Sequence, residues 1–213
     1  MLRHTLLPVT PFQQNCSLIW CERSGRAALI DPGGEDERLL QAVAERDLKL
    51  DRILLTHGHL DHVGAAGRLA QQFGIPIEGP QREDAFLLET LPEQCAMFGF
   101  PRCEAFIPDH WLEHGDTVTL GEIHLEVLHC PGHTPGHVVF FDRPGKLAFV
   151  GDVLFKDSIG RTDFERGDHD TLIDSIRTRL WPLGDDVTFI PGHGIASTFG
   201  RERLDNPFVG DDV

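Results

Sequence analysis

The chain has 213 residues, 40% hydrophobic and 25% charged, which suits one globular unit over residues 1–213 with a sizeable core and leaves little room for a second. Its formal net charge of −15, from 34 acidic and 19 basic residues, argues against nucleic acid or anionic lipid as a general partner. No apolar run approaches the roughly 20 residues that span a bilayer, and "MLRHTLLPVTPFQQN" lacks the succession of charged, apolar and cleavage regions of a leader, so a cytoplasmic, membrane-free protein is expected.

In chain order, "NCSLIWC" and "AALID" read as strands joined by a turn at Ser24 and Gly25, the second ended by Pro32, Gly33 and Gly34. "DERLLQAVAER" sets Leu39, Leu40 and Val43 on one helical face. "LDRILLT" is a short buried strand, and "DHVGAAGRLAQQFG" a helix that stops at Gly74. "IPIEG" is another strand, followed by a weakly patterned stretch over 81–110 that reads as helical and loop segments. From Thr117 onward "TVTL", "IHLEVLHC", "HVVFFD", "LAFVGD" and "VTFIPG" are successive strands, interrupted by a helix at "DTLIDSIRTRLW". Strands and helices in both halves predict sheets with helices outside, a layered α/β sandwich. Five cysteines, Cys16, Cys21, Cys95, Cys103 and Cys130, at irregular spacings argue against a disulfide framework and for a reducing compartment.

Twelve histidines invite a search for clusters. "THGHLDH" packs His57, His59, Asp61 and His62 into six positions directly after an apolar strand. "HCPGHTPGH" offers His133 in a Pro/Gly-constrained loop, "FVGD" ends a strand on Asp152, and "FIPGHG" ends another on His193. Taken singly, the last three are ordinary turn or surface residues. Four polar groups crowded at one strand-to-helix junction are not, because without a ligand their desolvated donors and acceptors would need other partners. All four offerings follow apolar strands, so all can meet at one edge of a sandwich and supply the imidazoles and carboxylates that zinc, iron or manganese takes. Cys130 near His133 reads as an ordinary buried cysteine, and His129 and His137 as non-ligands, His137 being placed to support a ligand.

"THGHLDH", "CPGHTPGH", Gly151–Asp152 and "PGHG" at 191–194 resemble the metallo-β-lactamase superfamily in order and separation over nearly the whole chain. The resemblance implies a four-layer αββα sandwich with two divalent metal ions, taken here as zinc, with iron or manganese as alternatives. It assigns His57, His59 and His133 to one ion, Asp61, His62 and His193 to the other, and Asp152 as the bridge. Such a pair shares a water, lowers its pKa and polarises the carbonyl under attack. Asp61 would orient that nucleophile, making Asp61 and Asp152 the catalytic carboxylates.

"FKDSIGRTDF" at 155–164 resembles the hydroxyacylglutathione hydrolases (glyoxalase II) and the related persulfide dioxygenases, and the C-terminal "PGHGIASTFGRERLDNPF" is similar to the short, single-domain members of the first group. The implied reaction is hydrolysis of a small-molecule thioester, S-(2-hydroxyacyl)glutathione, with S-D-lactoylglutathione as the example. In longer relatives a basic residue at the position of Arg161 contacts a glutathione carboxylate and nearby tyrosines help hold the tripeptide. This chain has 14 phenylalanines and no tyrosine, a departure from that pattern. Arg161 and Lys156 are the candidate substrate contacts, and phenylalanines in "AMFGF" the candidate gate or interface. Two other readings stand beside this one: a persulfide dioxygenase with one iron on His57, His133 and Asp152, and a metal-binding or sensing protein without turnover.

Overall fold

The computed structural model describes all residues, 1–213. It opens on a strand that sequence pattern does not foresee, β1 (Leu2–Val9), paired antiparallel along its whole length with β2 (Gln14–Cys21). β1 lies at the sheet edge, where Pro8 and its missing N–H are tolerated. Next come β3 (Arg26–Ile30), α1 (Asp36–Ala44) and β4 (Lys49–Leu54). The single helix expected over 61–74 is two, α2 (Leu60–Val63) and α3 (Ala66–Phe73). They part because the Ala65 N–H donates to the Pro32 carbonyl, 2.9 Å away, instead of continuing the helical ladder.

β5 (Ile77–Glu78) closes the first sheet, and the weakly patterned stretch forms one 3₁₀ turn at Arg82–Asp84, then α4 (Ala85–Glu89) and α5 (Leu91–Phe98). α5 ends on Gly99 in the left-handed region, and the chain doubles back so that Cys103 forms a disulfide with Cys95. Irregular spacing did not foretell this bond, since a reversal of the chain creates it; Cys16, Cys21 and Cys130 are free.

The second half runs β6 (Thr117–Leu120), β7 (Ile123–His129), β8 (Val138–Asp142), β9 (Leu147–Gly151) and the small hairpin of β10 (Leu154–Phe155) and β11 (Ser158–Ile159). α6 (His169–Ser175) continues as a widened turn through Leu180. β12 (Thr188–Pro191), β13 (Ser197–Thr198) and α7 (Phe199–Asp205) complete the chain.

The strands form a five-stranded sheet, β1-β2-β3-β4-β5, and a six-stranded sheet, β13-β12-β9-β8-β7-β6. Three apolar interfaces make four layers of them. One cluster, including Leu18, Leu29, Ile53, Leu39 and Leu69, joins the outer face of the first sheet to α1 and α3. A second, including Phe141, Phe189, Leu172 and Phe199, joins the second sheet to α6 and α7. The third, with Ile19, Ile30 and Leu54 from one sheet and Val127, Phe140 and Phe149 from the other, lies between the sheets. The fold is therefore the α/β sandwich of two sheets flanked by helices, αββα. At one edge the sheets are tied directly: Asn15 Nδ2 donates to the carbonyls of Pro191 (3.0 Å) and Gly194 (2.9 Å), and the Val138 N–H to the Thr56 carbonyl (2.8 Å). No helix is long and apolar enough to cross a membrane.

Phe140, fully buried and facing Phe149 across the β8–β9 pair, tests the inter-sheet layer. Phe140→Ala is expected to cost about 3–5 kcal/mol of stability, measured by urea denaturation, with loss of both sheets in a single transition.

Candidate metal centre

β4 delivers the chain through Leu55 and Thr56 to His57 and His59 in extended backbone; His59 is the residue before α2, and the helix turns Asp61 and His62 in its first turn to a new direction. His133 lies in the loop after β7, Asp152 directly after β9, and His193 just after β12. All seven residues therefore stand past the C-terminal ends of strands from both sheets, and the structure brings them together at the tied edge.

Their atoms converge in two groups. His57 Nε2 lies 3.1 Å from His59 Nδ1, which lies 3.0 Å from His133 Nε2. Asp61, His62 and His193 form the second group, with His193 Nε2 3.2 Å and His62 Nε2 3.8 Å from Asp61 Oδ2. Asp152 stands between the groups: its Oδ2 is 3.6 Å from both His133 Nε2 and His193 Nε2, and its Oδ1 is 3.5 Å from His62 Nε2.

The far nitrogens decide what these atoms offer. His133 Nδ1 is 2.7 Å from the Arg161 carbonyl and His193 Nδ1 is 3.1 Å from the Phe12 carbonyl. A carbonyl only accepts, so Nδ1 carries the proton in both rings. His62 Nδ1 likewise donates to Asp31 Oδ2 at 2.9 Å. Thr56 Oγ1 spends its hydrogen on Asp31 Oδ2 (2.6 Å) and so accepts from His57 Nδ1 (3.0 Å). In the neutral rings all four Nε2 atoms therefore present lone pairs to the centre. Asp31, buried in the left-handed region at φ 54° and also accepting the Thr56 N–H, supports both groups at once. Asp31 follows an apolar strand just as Asp152 does, and that shared signal was enough to have found it.

Electrostatics agrees with the two groups having different characters. Burial, then the neighbouring His62, His137 and His59, holds the His57 pKa well below the ordinary value. Burial, then His133, lowers His59 to about 3. Burial also lowers His133, against the pull of Asp152 and the Arg161 carbonyl. These three rings are neutral at physiological pH, the form of imidazole that can bind a metal. At His62 burial opposes charge, but Asp152 and Asp61 outweigh it and raise the pKa far above normal. Burial likewise disfavours a charged Asp152, yet His62, His133 and His193 hold that carboxyl far below the usual range. Two buried atoms, His62 Nε2 and Asp152 Oδ1, face the centre without a hydrogen-bond partner. Converging lone pairs, paired carboxylates and orphaned polar atoms fit divalent cations.

Around the centre, His137 stacks on His57 (ring centroids 4.6 Å, 17°) and its Nε2 accepts the Asp152 N–H at 3.0 Å, so it braces two of the seven residues without joining them. His129 donates to the Pro135 carbonyl. The buried Cys130 thiol is pushed up to about 12 by burial and offers no thiolate. A cleft of about 540 Å³ opens over His59, Asp61, His133, Asp152 and His193, walled by Phe12, Phe98, Phe155 and Phe164. A larger groove, about 1120 Å³ between Glu35, Arg68 and Arg102, contains none of the seven. Arg161 borders the cleft with its guanidinium 4.4 Å over the Phe164 ring and paired through two nitrogens with Asp163 (2.9 and 2.7 Å). Lys156 is exposed at the turn between β10 and β11 and does not line the cleft.

The family model of the metallo-beta-lactamase superfamily matches residues 9–193. The hydroxyacylglutathione hydrolase GloC of Haemophilus influenzae is 56% identical over 205 residues, which cover 96% of each chain. Among solved structures, the BLEG-1 B3 metallo-beta-lactamase superposes with a TM-score of 0.88 at 34% identity, covering 98% of this chain and 99% of that one. TTHA1623 in a di-iron-bound form superposes with a TM-score of 0.87 at 36% identity, covering 96% and 99%. With its fold, its His/Asp centre and these relatives, the chain belongs to the metallo-beta-lactamase superfamily and is one of its metal-dependent hydrolases.

Proposed function

We propose that the chain hydrolyses S-(2-hydroxyacyl)glutathione thioesters, such as S-D-lactoylglutathione, to the hydroxy acid and glutathione. The observation that carries this is the 56% identity, over nearly the full length of both chains, to a protein named hydroxyacylglutathione hydrolase. In this reading His57, His59 and His133 hold one divalent ion, Asp61, His62 and His193 a second, and Asp152 is shared. Such ions ready a water for attack at neutral pH and polarise the carbonyl.

The chain's own groups do the rest. Asp61 Oδ2, held by His193, faces the cleft as an acceptor that orients the attacking water and draws its proton. The phenylalanine walls exclude solvent from the reacting end of the substrate. Arg161 is the proposed contact for a glutathione carboxylate. Its pairing with Asp163 is solvent-exposed, so exchanging that partner for a substrate carboxylate costs little. With no tyrosine on the cleft walls to hold the tripeptide, binding rests chiefly on the thioester end. The cytoplasm, where glutathione is the ruling thiol, is the proposed location. Zinc is the proposed metal, and the di-iron form of TTHA1623 makes iron the alternative.

Elemental analysis of freshly purified protein with a lactoylglutathione cleavage assay tests the reading. About two zinc per chain and thioester turnover support it; one iron per chain with oxygen uptake on glutathione persulfide would replace it. Asp61→Asn is expected to lower kcat by about 10²–10⁴-fold with little change in KM, and an unchanged kcat would remove Asp61 from the chemistry.

A further inference from the structure

Asp84 ends the 3₁₀ turn before α4 and is completely buried, yet it pairs with no basic side chain. Its carboxylate instead collects three donors. Oδ2 accepts the Gly58 N–H at 2.9 Å and the Thr134 hydroxyl at 2.8 Å, and Oδ1 accepts the Gly136 N–H at 2.6 Å. Gly58 is the residue between His57 and His59, while Thr134 and Gly136 follow His133 in its loop. Every donor therefore belongs to one of the two segments that carry the first group of imidazoles.

The backbone there is cut to fit. A Cβ on Gly136 would stand 2.7 Å from Asp84 Cγ and 2.4 Å from the Gln81 carbonyl, and one on Gly58 would stand 2.8 Å from Leu87 Cβ. The Gln81 N–H also donates to the Gly136 carbonyl at 2.9 Å, a second tie from the same turn to the same loop. By contrast, His62 is oriented by Asp31 and His193 by the Phe12 carbonyl, and Asp84 makes no hydrogen bond to Asp61, His62 or His193.

We propose that Asp84 is a positioning residue for one half of the centre: it clamps the His57–His59 segment to the His133 loop and thereby sets the spacing of the three nitrogens that hold the first metal ion. It touches no ligand side chain and no cleft atom, and acts through the backbone on either side of the ligands. The inference rests on the proposed two-ion reading, deepening it by giving the first half a support of its own, Asp84, beside the Asp31 that serves both halves.

The test is a zinc titration of the metal-stripped protein against a chromophoric chelator, comparing the parent chain with Asp84→Asn, alone and on a His133→Ala background. Asp84→Asn keeps the shape but sets an amide N–H₂ where a donor must be accepted. One of two zinc affinities is expected to fall about 10–100-fold, the other to stay within about threefold by the same comparison, and the remaining site of His133→Ala to be indifferent to the added change. Equal weakening of both ions, as general loosening of the fold would give, overturns the proposal, and so does no weakening. Should Asp84→Asn fail to fold, Thr134→Val removes one of the three bonds; the same one-sided loss, smaller, is expected, and an even loss or none overturns the clamp. A parent chain that binds no zinc or other divalent metal would instead defeat the two-ion reading itself.

Discussion

Imidazole rings do not crowd their inward nitrogens together without compensation, and here four of them do so at one largely buried site. The cause lies behind the rings: each Nδ1 proton is committed to an oxygen that cannot give one back, the Arg161 and Phe12 carbonyls, the Asp31 carboxylate and the Thr56 hydroxyl. That commitment leaves every Nε2 facing inward, open to a cation or, at His62 and His193, to a proton, and makes the centre costly to leave without either. The sandwich can be understood as the means of holding those four oxygens still. Two come from the first half of the chain next to β3 and β4, one from the turn after β1, and one from the loop after β11. Only a fold that brings both sheets to a common edge can supply them together.

The two triads differ in kind. His57, His59 and His133 are all imidazole, neutral and mutually repelling, while Asp61, His62 and His193 mix charge of both signs, with Asp152 adding a carboxylate between them. A cation relieves lone-pair crowding at the first and replaces protons at the second. The division extends outward to the supports, since Asp84 reaches the segments of the first triad and Asp31 bonds His62 of the second, touching His57 through Thr56.

Much of this was legible in the sequence because the signals are local. An apolar run ending in polar residues marks a strand's C-terminal end, and "THGHLDH", "FVGD" and "FIPGHG" each announce one; the layered architecture follows from the same runs. β1 was not legible, because its strand character comes from pairing with β2 more than from its own pattern. Nor was the break between α2 and α3, which depends on Pro32 accepting a hydrogen bond from a distant part of the chain. The Phe12 and Arg161 carbonyls left no trace, since a main-chain oxygen has no residue type to recognise. Asp84, in "QREDAF", looks like any charged surface turn until the fold buries it.

The loop after β11 shows what such main-chain support allows. Arg161 holds His133 with its carbonyl while its guanidinium lies over Phe164 at the cleft. Every amino acid brings the same carbonyl, so the identity of residue 161 can drift without disturbing the ring that needs it. Under the role proposed for Arg161 as a substrate contact, preference for one substrate over another can therefore be rewritten at this position while the His/Asp centre is inherited intact. Within one superfamily, that separation gives evolution a place to change what is cleaved without having to rebuild how.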